Sequence, residues 1–323
     1  MATYLVTGAA GFIGARFAES CNARGLSVIA VDEKALFAKR PEHQGIRFDQ
    51  VVDRDELFDW LTRSSSLKID AVVHMGACAN TMETDVEFLR RVNIEYSQKL
   101  WNYCTSKKIP FVYASSAATY GDGAMGYDDD ESLIHGLKPL NDYGNSKQIF
   151  DQWALEQEKA GSTPPSWAGF KFFNVYGFGE RHKERMASVI LHSYDQILKA
   201  GRVKLFKSHR PGINDGEQKR DFIAVEDVIG VMHFAVDKPI RRGIFNLGTG
   251  CAQTFLDLVR AVFEATGKPE QIDFIDTPIE IRDKYQYFTE ARMDRLKAEG
   301  YSKPFMGLRD GAKKYVSRLE KLR

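Results

Sequence analysis

Cysteine is scarce. The four in 323 residues, Cys21, Cys78, Cys104 and Cys251, form no Cys-x-x-Cys pair and no spacing suited to a disulfide framework or a zinc centre. Buried, reduced thiols are expected instead. The seven histidines likewise show no metal-ligand spacing, so no metal is predicted. No apolar run approaches the ~20 residues needed to cross a bilayer, and an apolar strand begins at once with no basic leader segment before it. That pattern predicts a cytoplasmic protein with no membrane partner. Excess charge is missing too: 45 basic against 44 acidic residues leave a formal net charge of +1. This balance provides no field for nucleic acid, and no basic-aromatic stripe is present. The acidic run Asp128-Asp129-Asp130-Glu131 follows a turn-rich segment and reads as a solvated loop.

Glycine, by contrast, is placed with purpose. In Thr3-Tyr4-Leu5-Val6-Thr7-Gly8-Ala9-Ala10-Gly11-Phe12-Ile13-Gly14 an apolar strand meets three glycines spaced three apart and then a helix. Gly8 allows a sharp turn, Gly11 lets backbone approach a phosphate, and Gly14 lets the helix pack closely on the strand with its positive end toward the anion. Phe12 and Ile13 belong to the same cradle. The next apolar strand, Leu26 to Val31, ends on Asp32, about 20 residues downstream, where an acidic residue meets an adenosine ribose. Asp32 as a strand-end turn former is the plainer alternative. A nicotinamide dinucleotide is therefore the expected cofactor. Asp32 followed by Glu33 should accept hydrogen bonds from a ribose diol and repel a 2′-phosphate, which favours NAD, whereas Lys34, Lys39 and Arg40 offset that repulsion. NAD and NADP both stay open.

Apolar strand candidates alternate with amphipathic stretches: 4–7, 27–31, 46–48, 71–75, 111–114 and 170–173, with helices over 86–104 and 147–159. This rhythm predicts an α/β fold, a Rossmann doubly wound parallel sheet with a smaller mixed α/β C-terminal domain for substrate. A late strand, Ile244-Phe245-Asn246-Leu247, is expected to rejoin the sheet. The dinucleotide-binding domain is accordingly 1–176 completed by about 228–250, and 177–227 with 251–323 form the substrate domain. The polar stretch 207–217 reads as a long loop, either a lid or a plain surface excursion.

Three features converge after the fifth strand. Ser115 and Ser116 follow Phe111-Val112-Tyr113-Ala114, at the carboxyl edge where ligands bind in open α/β sheets. Tyr143 and Lys147 are spaced i, i+4, so on a helix started by Asn141-Asp142 they share one face. A free tyrosine, with a pKa of ~10, is a poor base; a nearby ammonium and an oxidised nicotinamide both favour phenolate. Tyr143 would then remove a hydroxyl proton, Ser116 or Ser115 would steady the oxygen, and Lys147 would hold the nicotinamide ribose. The bland alternative is a core tyrosine and a solvated lysine. Its weight falls beside a dinucleotide fingerprint.

In Thr7 to Gly14, Asp32, His74-Met75-Gly76-Ala77, Ser115-Ser116-Ala117-Ala118-Thr119-Tyr120-Gly121 and Tyr143 to Lys147 the chain resembles the extended short-chain dehydrogenase/reductases. The resemblance selects Ser116 over Ser115 and implies cofactor contacts at Gly76, Ala77 and Asn93. Members that dehydrate nucleotide sugars place an aspartate and a glutamate after the catalytic serine or threonine. Here Ala117 and Ala118 stand there, and neither moves a proton, which points to an epimerase.

Phe172-Phe173-Asn174-Val175-Tyr176-Gly177, His182-Lys183, Met186-Ala187-Ser188-Val189, Lys219-Arg220-Asp221-Phe222, 243–250 and 300–305 are similar to the ADP-glyceromanno-heptose 6-epimerases. That similarity implies inversion at C6 of an ADP-heptose used for lipopolysaccharide core, through a 6-keto sugar, with Lys183 as a second acid/base. It implies substrate contacts at Ser116, Asn174, Lys183, Ser188, Arg220 and Tyr285, an ADP-sugar as partner, and a homo-oligomer such as a pentamer. Read without it, Lys183 is a surface charge in Glu180-Arg181-His182-Lys183-Glu184-Arg185, and Arg220 pairs with Asp221 or Asp227. Phe178 departs from the proline frequent after the Asn-Val-Tyr-Gly motif, and the 207–217 loop is longer than in some members. A UDP-sugar 4-epimerase is the runner-up, and a non-catalytic NAD(P)-binding regulator the rival of another class.

Overall fold

The computed structural model describes residues 1–282 and 285–322. In chain order its strands are β1 (Thr3–Thr7), β2 (Ser27–Asp32), β3 (Gln50–Asp53), β4 (Ala71–His74), β5 (Phe111–Ser116), β6 (Trp167–Phe172), β7 (Asn174–Tyr176), β8 (Val203–Phe206), β9 (Lys219–Ala224), β10 (Ile244–Leu247), β11 (Ala252–Thr254) and β12 (Ile272–Ile275). Seven form one parallel sheet in the order β10-β6-β5-β4-β1-β2-β3. Val28, Ile29, Ala30 and Val31 on β2 are all buried, as expected of a strand covered on both faces. Chain order reverses at β1, which pairs with β2 on one side and β4 on the other, and this opens the crevice in which α/β folds bind ligands. The doubly wound Rossmann sheet is present as the alternation predicts.

The late strand does return. β10 pairs in parallel with β6, and its Asn246 is fully buried. The Asn246 amide donates to the carbonyls of Tyr127 (2.8 Å) and Arg292 (3.0 Å), accepts from the Tyr120 hydroxyl (2.7 Å), and its backbone N–H donates to Asp129 (2.8 Å). One side of the sheet packs on the helices Phe12–Ala23 and Val225–Asp237 through Phe17, Val228, Met232 and Phe245. The other side holds Trp101, Phe111, Phe150 and Trp167, with Trp101 and Trp167 in edge contact at 5.0 Å. Truncating either indole to alanine would cost ~3–5 kcal/mol. A separate core unites Tyr176, Ile190, Tyr194, Leu258, Val262, Leu308 and Tyr315, built around the helices Val189–Ala200, Phe255–Thr266 and Leu308–Glu320. A three-stranded sheet, β11-β9-β7, and a pair, β12-β8, accompany it.

Several boundaries differ from the sequence reading. Residues 46–48 are not the third strand; pairing with β2 begins at Gln50, after Asp49 N–H bonds to Val28 O (3.0 Å). Phe48 packs on Phe37 and His43, so its apolar character serves a local aromatic cluster. Helix 147–159 starts earlier, at Asp142, capped by Asn141, which accepts from Gly144 N–H (2.8 Å) and is worth ~1 kcal/mol. Helix 86–104 runs on to Lys107 through a widened π turn over Arg90–Glu95. Cys21 and Cys104 are buried as expected, but Cys78 is half-buried and Cys251 exposed. Loop 207–217 is fastened to Tyr287: His209 N–H donates to the Tyr287 hydroxyl (3.0 Å), and Arg210 lies 5.7 Å from that ring. No helix among the described residues is long and apolar enough to cross a membrane.

Candidate active site

The crevice begins at the glycine turn. Gly8 has φ +65°, and its carbonyl accepts from Gly11 N–H (2.8 Å). A side chain at Gly14 would place Cβ 2.2 Å from Gly8 O, and one at Gly8 would stand 2.7 Å from Gly76 N. Only bare backbone fits here. Phe12 and Ile13 open the helix capped by Gly11, so their N–H groups are among those left without helical partners and face the turn. On the β4 side, Gly76 N–H donates to Thr7 Oγ1 (3.0 Å), and Thr7 meets His74 Nδ1 at 2.6 Å. Burial holds the His74 pKa at about 3, so the ring is a neutral bracket. Asn93 keeps its amide on this loop: Oδ1 accepts from Cys78 N–H (2.8 Å), and Nδ2 donates to Cys78 O (3.0 Å) and Ser146 Oγ (2.9 Å). Asn93 therefore shapes the wall at Gly76-Ala77-Cys78 through its side chain.

Asp32 closes β2 with its carboxylate accepting from Ala10 N–H (3.0 Å) and Glu33 N–H (2.9 Å). Burial raises its pKa, which those N–H groups and then Arg40 and Arg54 oppose. Glu33 pairs with Arg54 at 3.0 Å. Arg40 Nη1 is buried without a hydrogen-bond partner. A cradle that any Cβ would fill, an acid at the strand end and an idle guanidinium nitrogen together fit a dinucleotide with an anionic backbone.

At the end of β5 the two adjacent serines part company. Ser115 is buried and donates to Asp151 Oδ2 (2.7 Å). Ser116 accepts from Ala118 N–H (3.1 Å), and its hydroxyl is the neighbour that lowers the Tyr143 pKa. Ser116 is thus the serine that meets the tyrosine, and alternation along the strand is the physical reason. Burial raises the Tyr143 pKa against the Ser116 hydroxyl, and Cys78 and Asp151 raise it further. Lys147 donates to Ala114 O (2.9 Å), with its pKa lowered to about 8 by burial against the pull of Asp151 and Cys78.

The segment 177–188 reaches the glycine turn through Lys183. Lys183 lies 5.4 Å from the centroid of Phe12, at the mouth of the phosphate turn, and burial lowers its pKa while Glu180 raises it. Glu180 is fully buried and accepts from Ser188 N–H (2.7 Å), Ser188 Oγ (2.6 Å) and Gly177 N–H (3.2 Å). The Ser188 hydroxyl also caps the helix Val189–Ala200, so its donor is already committed. Glu184 next to Lys183 has φ +48°, an uncommon backbone state for a residue with a side chain. Asn174 is exposed on β7. Arg220 is buried between Tyr285 (5.4 Å) and Phe255 (5.6 Å); it donates to Lys219 O (2.9 Å) and Gln286 O. Arg220 and Tyr285 are brought together; Arg220 turns to carbonyls and rings where pairing with Asp221 or Asp227 was the alternative.

The sequence profile of the NAD dependent epimerase/dehydratase family matches residues 4–248. The chain belongs to that family. This epimerase is 44% identical to an ADP-L-glycero-D-manno-heptose-6-epimerase of Fusobacterium nucleatum, over 97% of its own length and 96% of the relative's. It is likewise 44% identical to one of Nitratidesulfovibrio vulgaris, over 97% and 96%. The crystal structure of the Helicobacter pylori ADP-L-glycero-D-manno-heptose-6-epimerase superposes with a TM-score of 0.81 at 27% identity, covering 99% of this chain and 96% of that one. A Thermus thermophilus UDP-glucose 4-epimerase in complex with NAD gives 0.77 at 26%, over 98% and 99%. An NAD(P) cofactor goes with this membership.

Sequence reasoning passed over three residues of the epimerase's site. Asp151 was legible one helical turn beyond Lys147, in the row 143, 147, 151. Glu180 carried no separate signal inside its charged run. Asp221 gathers the N–H groups of Thr249 (2.7 Å), Gly250 (2.9 Å) and Ala291 (3.0 Å), and no local pattern announces those contacts.

Proposed function

We propose that the protein interconverts the C6 epimers of ADP-glycero-D-manno-heptose, with Ser116, Tyr143, Lys147 and Lys183 as its working side chains. The observation that carries this reading is Lys183, half-buried over Phe12 at the glycine turn, where a 4-epimerase would need no second acid/base. The relatives' names support the substrate. Residues 1–176 with 228–250 would hold cofactor, and the remainder substrate.

The backbone of Gly8, Gly11, Phe12, Ile13 and Gly14 would hold the pyrophosphate, Asp32 and Glu33 the adenosine ribose, and Gly76 and Ala77 the far wall. A nicotinamide held there would supply the acceptor, and then the donor, of a hydride at the sugar carbinol. Tyr143 takes the hydroxyl proton while Ser116 holds the same oxygen, and the Lys147 ammonium keeps the phenolate and ribose in place. C6 is exocyclic, so the resulting carbonyl turns about its bond to C5 and presents its other face. Its oxygen has then left Tyr143, and Lys183 supplies the proton that the inverted alkoxide needs. A pKa below the usual lysine range suits that step, because the proton is released more readily. Arg220 would grip the diphosphate by a two-pronged guanidinium contact, with Tyr285 alongside and Asn174 donating at the rim. The idle Nη1 of Arg40 supports NADP as well as NAD, since it is a ready donor for a 2′-phosphate.

The test is incubation of the purified protein with ADP-D-glycero-D-manno-heptose, followed by proton NMR, together with chromatography of the nucleotide released by denaturation. Inversion at C6 without net change in cofactor is expected. An unchanged spectrum from cofactor-loaded protein refutes the assignment.

A further inference from the structure

We propose that Asp151, through its buried partner Lys171, is a positioning residue that fixes the Ser116 backbone against the helix carrying Tyr143 and Lys147. The inference rests on the reading that those three side chains perform the chemistry. Tyr143, Lys147 and Asp151 lie four residues apart on one helix and so form a single row. Each reaches a successive residue at the end of β5 or its partner. Lys147 donates to Ala114 O (2.9 Å), Asp151 accepts from Ser115 Oγ (2.7 Å), and Ser116 is the group whose hydroxyl lowers the Tyr143 pKa.

The row is anchored from behind. Asp151 is 0% exposed, accepts from the Tyr113 hydroxyl (2.9 Å) and pairs with Lys171, also 0% exposed, at 2.8 Å. Lys171 then donates to Thr119 Oγ1 (2.7 Å), whose hydroxyl donates to Ser116 O (2.9 Å). Three links thus connect Asp151 to Ser116. Lys171 stands beside Ser115 in register on β6 and lies 5.2 Å from the Tyr120 ring. Two ions taken this far from water stabilise a fold no better than a well-packed apolar pair would. Their value lies in direction: the ion pair fixes two donors and an acceptor where an apolar pair fixes none.

A fixed charge under the row also acts on it. Lys147 is faced by Asp151, Cys78 and the neutral His74; Tyr143 is faced by Ser116, Cys78 and Asp151. Around Asp151 itself stand Tyr113, Ser115 and Lys171, with Thr119 and Tyr120 behind and Glu131 acting on Tyr113.

The double substitution D151N/K171M removes both charges and leaves no unpaired ion. Expected is a folded, cofactor-binding protein with kcat down about 100-fold and KM within about threefold, the signature of misplacement and not of lost binding. The Lys147 titration, followed by carbon NMR of labelled lysine without substrate, should move below its wild-type midpoint near 8. Wild-type kcat, a loss confined to KM, or an unmoved Lys147 midpoint overturns the proposal. Should the double variant not fold, T119V removes the one hydroxyl that carries the last two links and leaves the Asp151–Lys171 pair in place: a tenfold or larger fall in kcat supports the proposal and an unchanged kcat overturns it. A wild-type protein inactive on the ADP-heptose defeats the functional reading alone, because the lysine titration needs no turnover.

Discussion

Substituting Lys183 by methionine separates the two halves of the proposed reaction. The methionine keeps most of the stem over Phe12, where sulfur near an aromatic edge is worth ~0.3–1.5 kcal/mol. What is lost is a cation 5.4 Å from the ring centroid, worth ~0.5–2 kcal/mol at a partly desolvated site. Removing an ammonium whose burial is unfavourable offsets part of that loss, as its lowered pKa indicates. Net stability should therefore change by no more than about 1 kcal/mol. Loss of a general acid, by contrast, costs ~10²–10⁴ in rate, or about 2.7–5.4 kcal/mol of barrier. The kinetic effect exceeds the structural one severalfold. Tyr143 and Ser116 remain, so oxidation still proceeds, and nicotinamide absorbance should show reduced cofactor accumulating in a single turnover while C6 inversion by NMR stalls. A kcat within about threefold of wild type, or a loss that tracks a drop in Tm, would refute the role of Lys183.

Two further perturbations address the cradle and the charge balance. Gly14→Ala forces a Cβ to within 2.2 Å of Gly8 O, a backbone atom with no room to yield; the protein should lose ~1–3 kcal/mol and purify without nucleotide, and full cofactor occupancy would contradict the cradle. Burial raises the Asp129 carboxyl to about 6, against the opposing Asn246 N–H and Arg295. A folded pKa above the unfolded value means the native state holds the proton more tightly, so this group's stabilisation is complete below about pH 4 and lost as pH rises through about 6. The two-unit difference is ~3 kcal/mol at most. D129N stays neutral and keeps an acceptor for Asn246, so urea midpoints should show it more stable than wild type at about pH 8 and equal at about pH 4; a gap independent of pH would discard this account.

The glycine turn, the acid at the end of β2 and the Tyr143/Lys147 row were readable because each is encoded by spacing along one local stretch. Ser116 over Ser115 needed family resemblance in the sequence; the structure supplies the cause, since alternation sends Ser115 to Asp151. Residues 46–48 misled because Phe48 joins an aromatic cluster and so looks like a strand without pairing as one. Lys171 was invisible for a related reason: between Phe170 and Phe172 it imitates an outward-facing polar position, yet β6 is covered on both faces and Lys171 has no exposure. Contacts such as Asp221 with Thr249 and Ala291 join segments 28 and 70 residues apart, and no window of sequence holds both ends.

The return of β10 to the side of β6 has a consequence for biosynthesis. A nascent chain that has emerged as far as residue 176 already contains the glycine turn and the tyrosine helix, but the hydrogen-bonding flank of β6 is bare until Leu247 leaves the ribosome. Asn246 then clasps Tyr120, Tyr127 and Asp129, and takes up Arg292 once that later segment emerges. Translation that stalls before that point would leave a half-built sheet with an open seam, a substrate for chaperones and not for nucleotide.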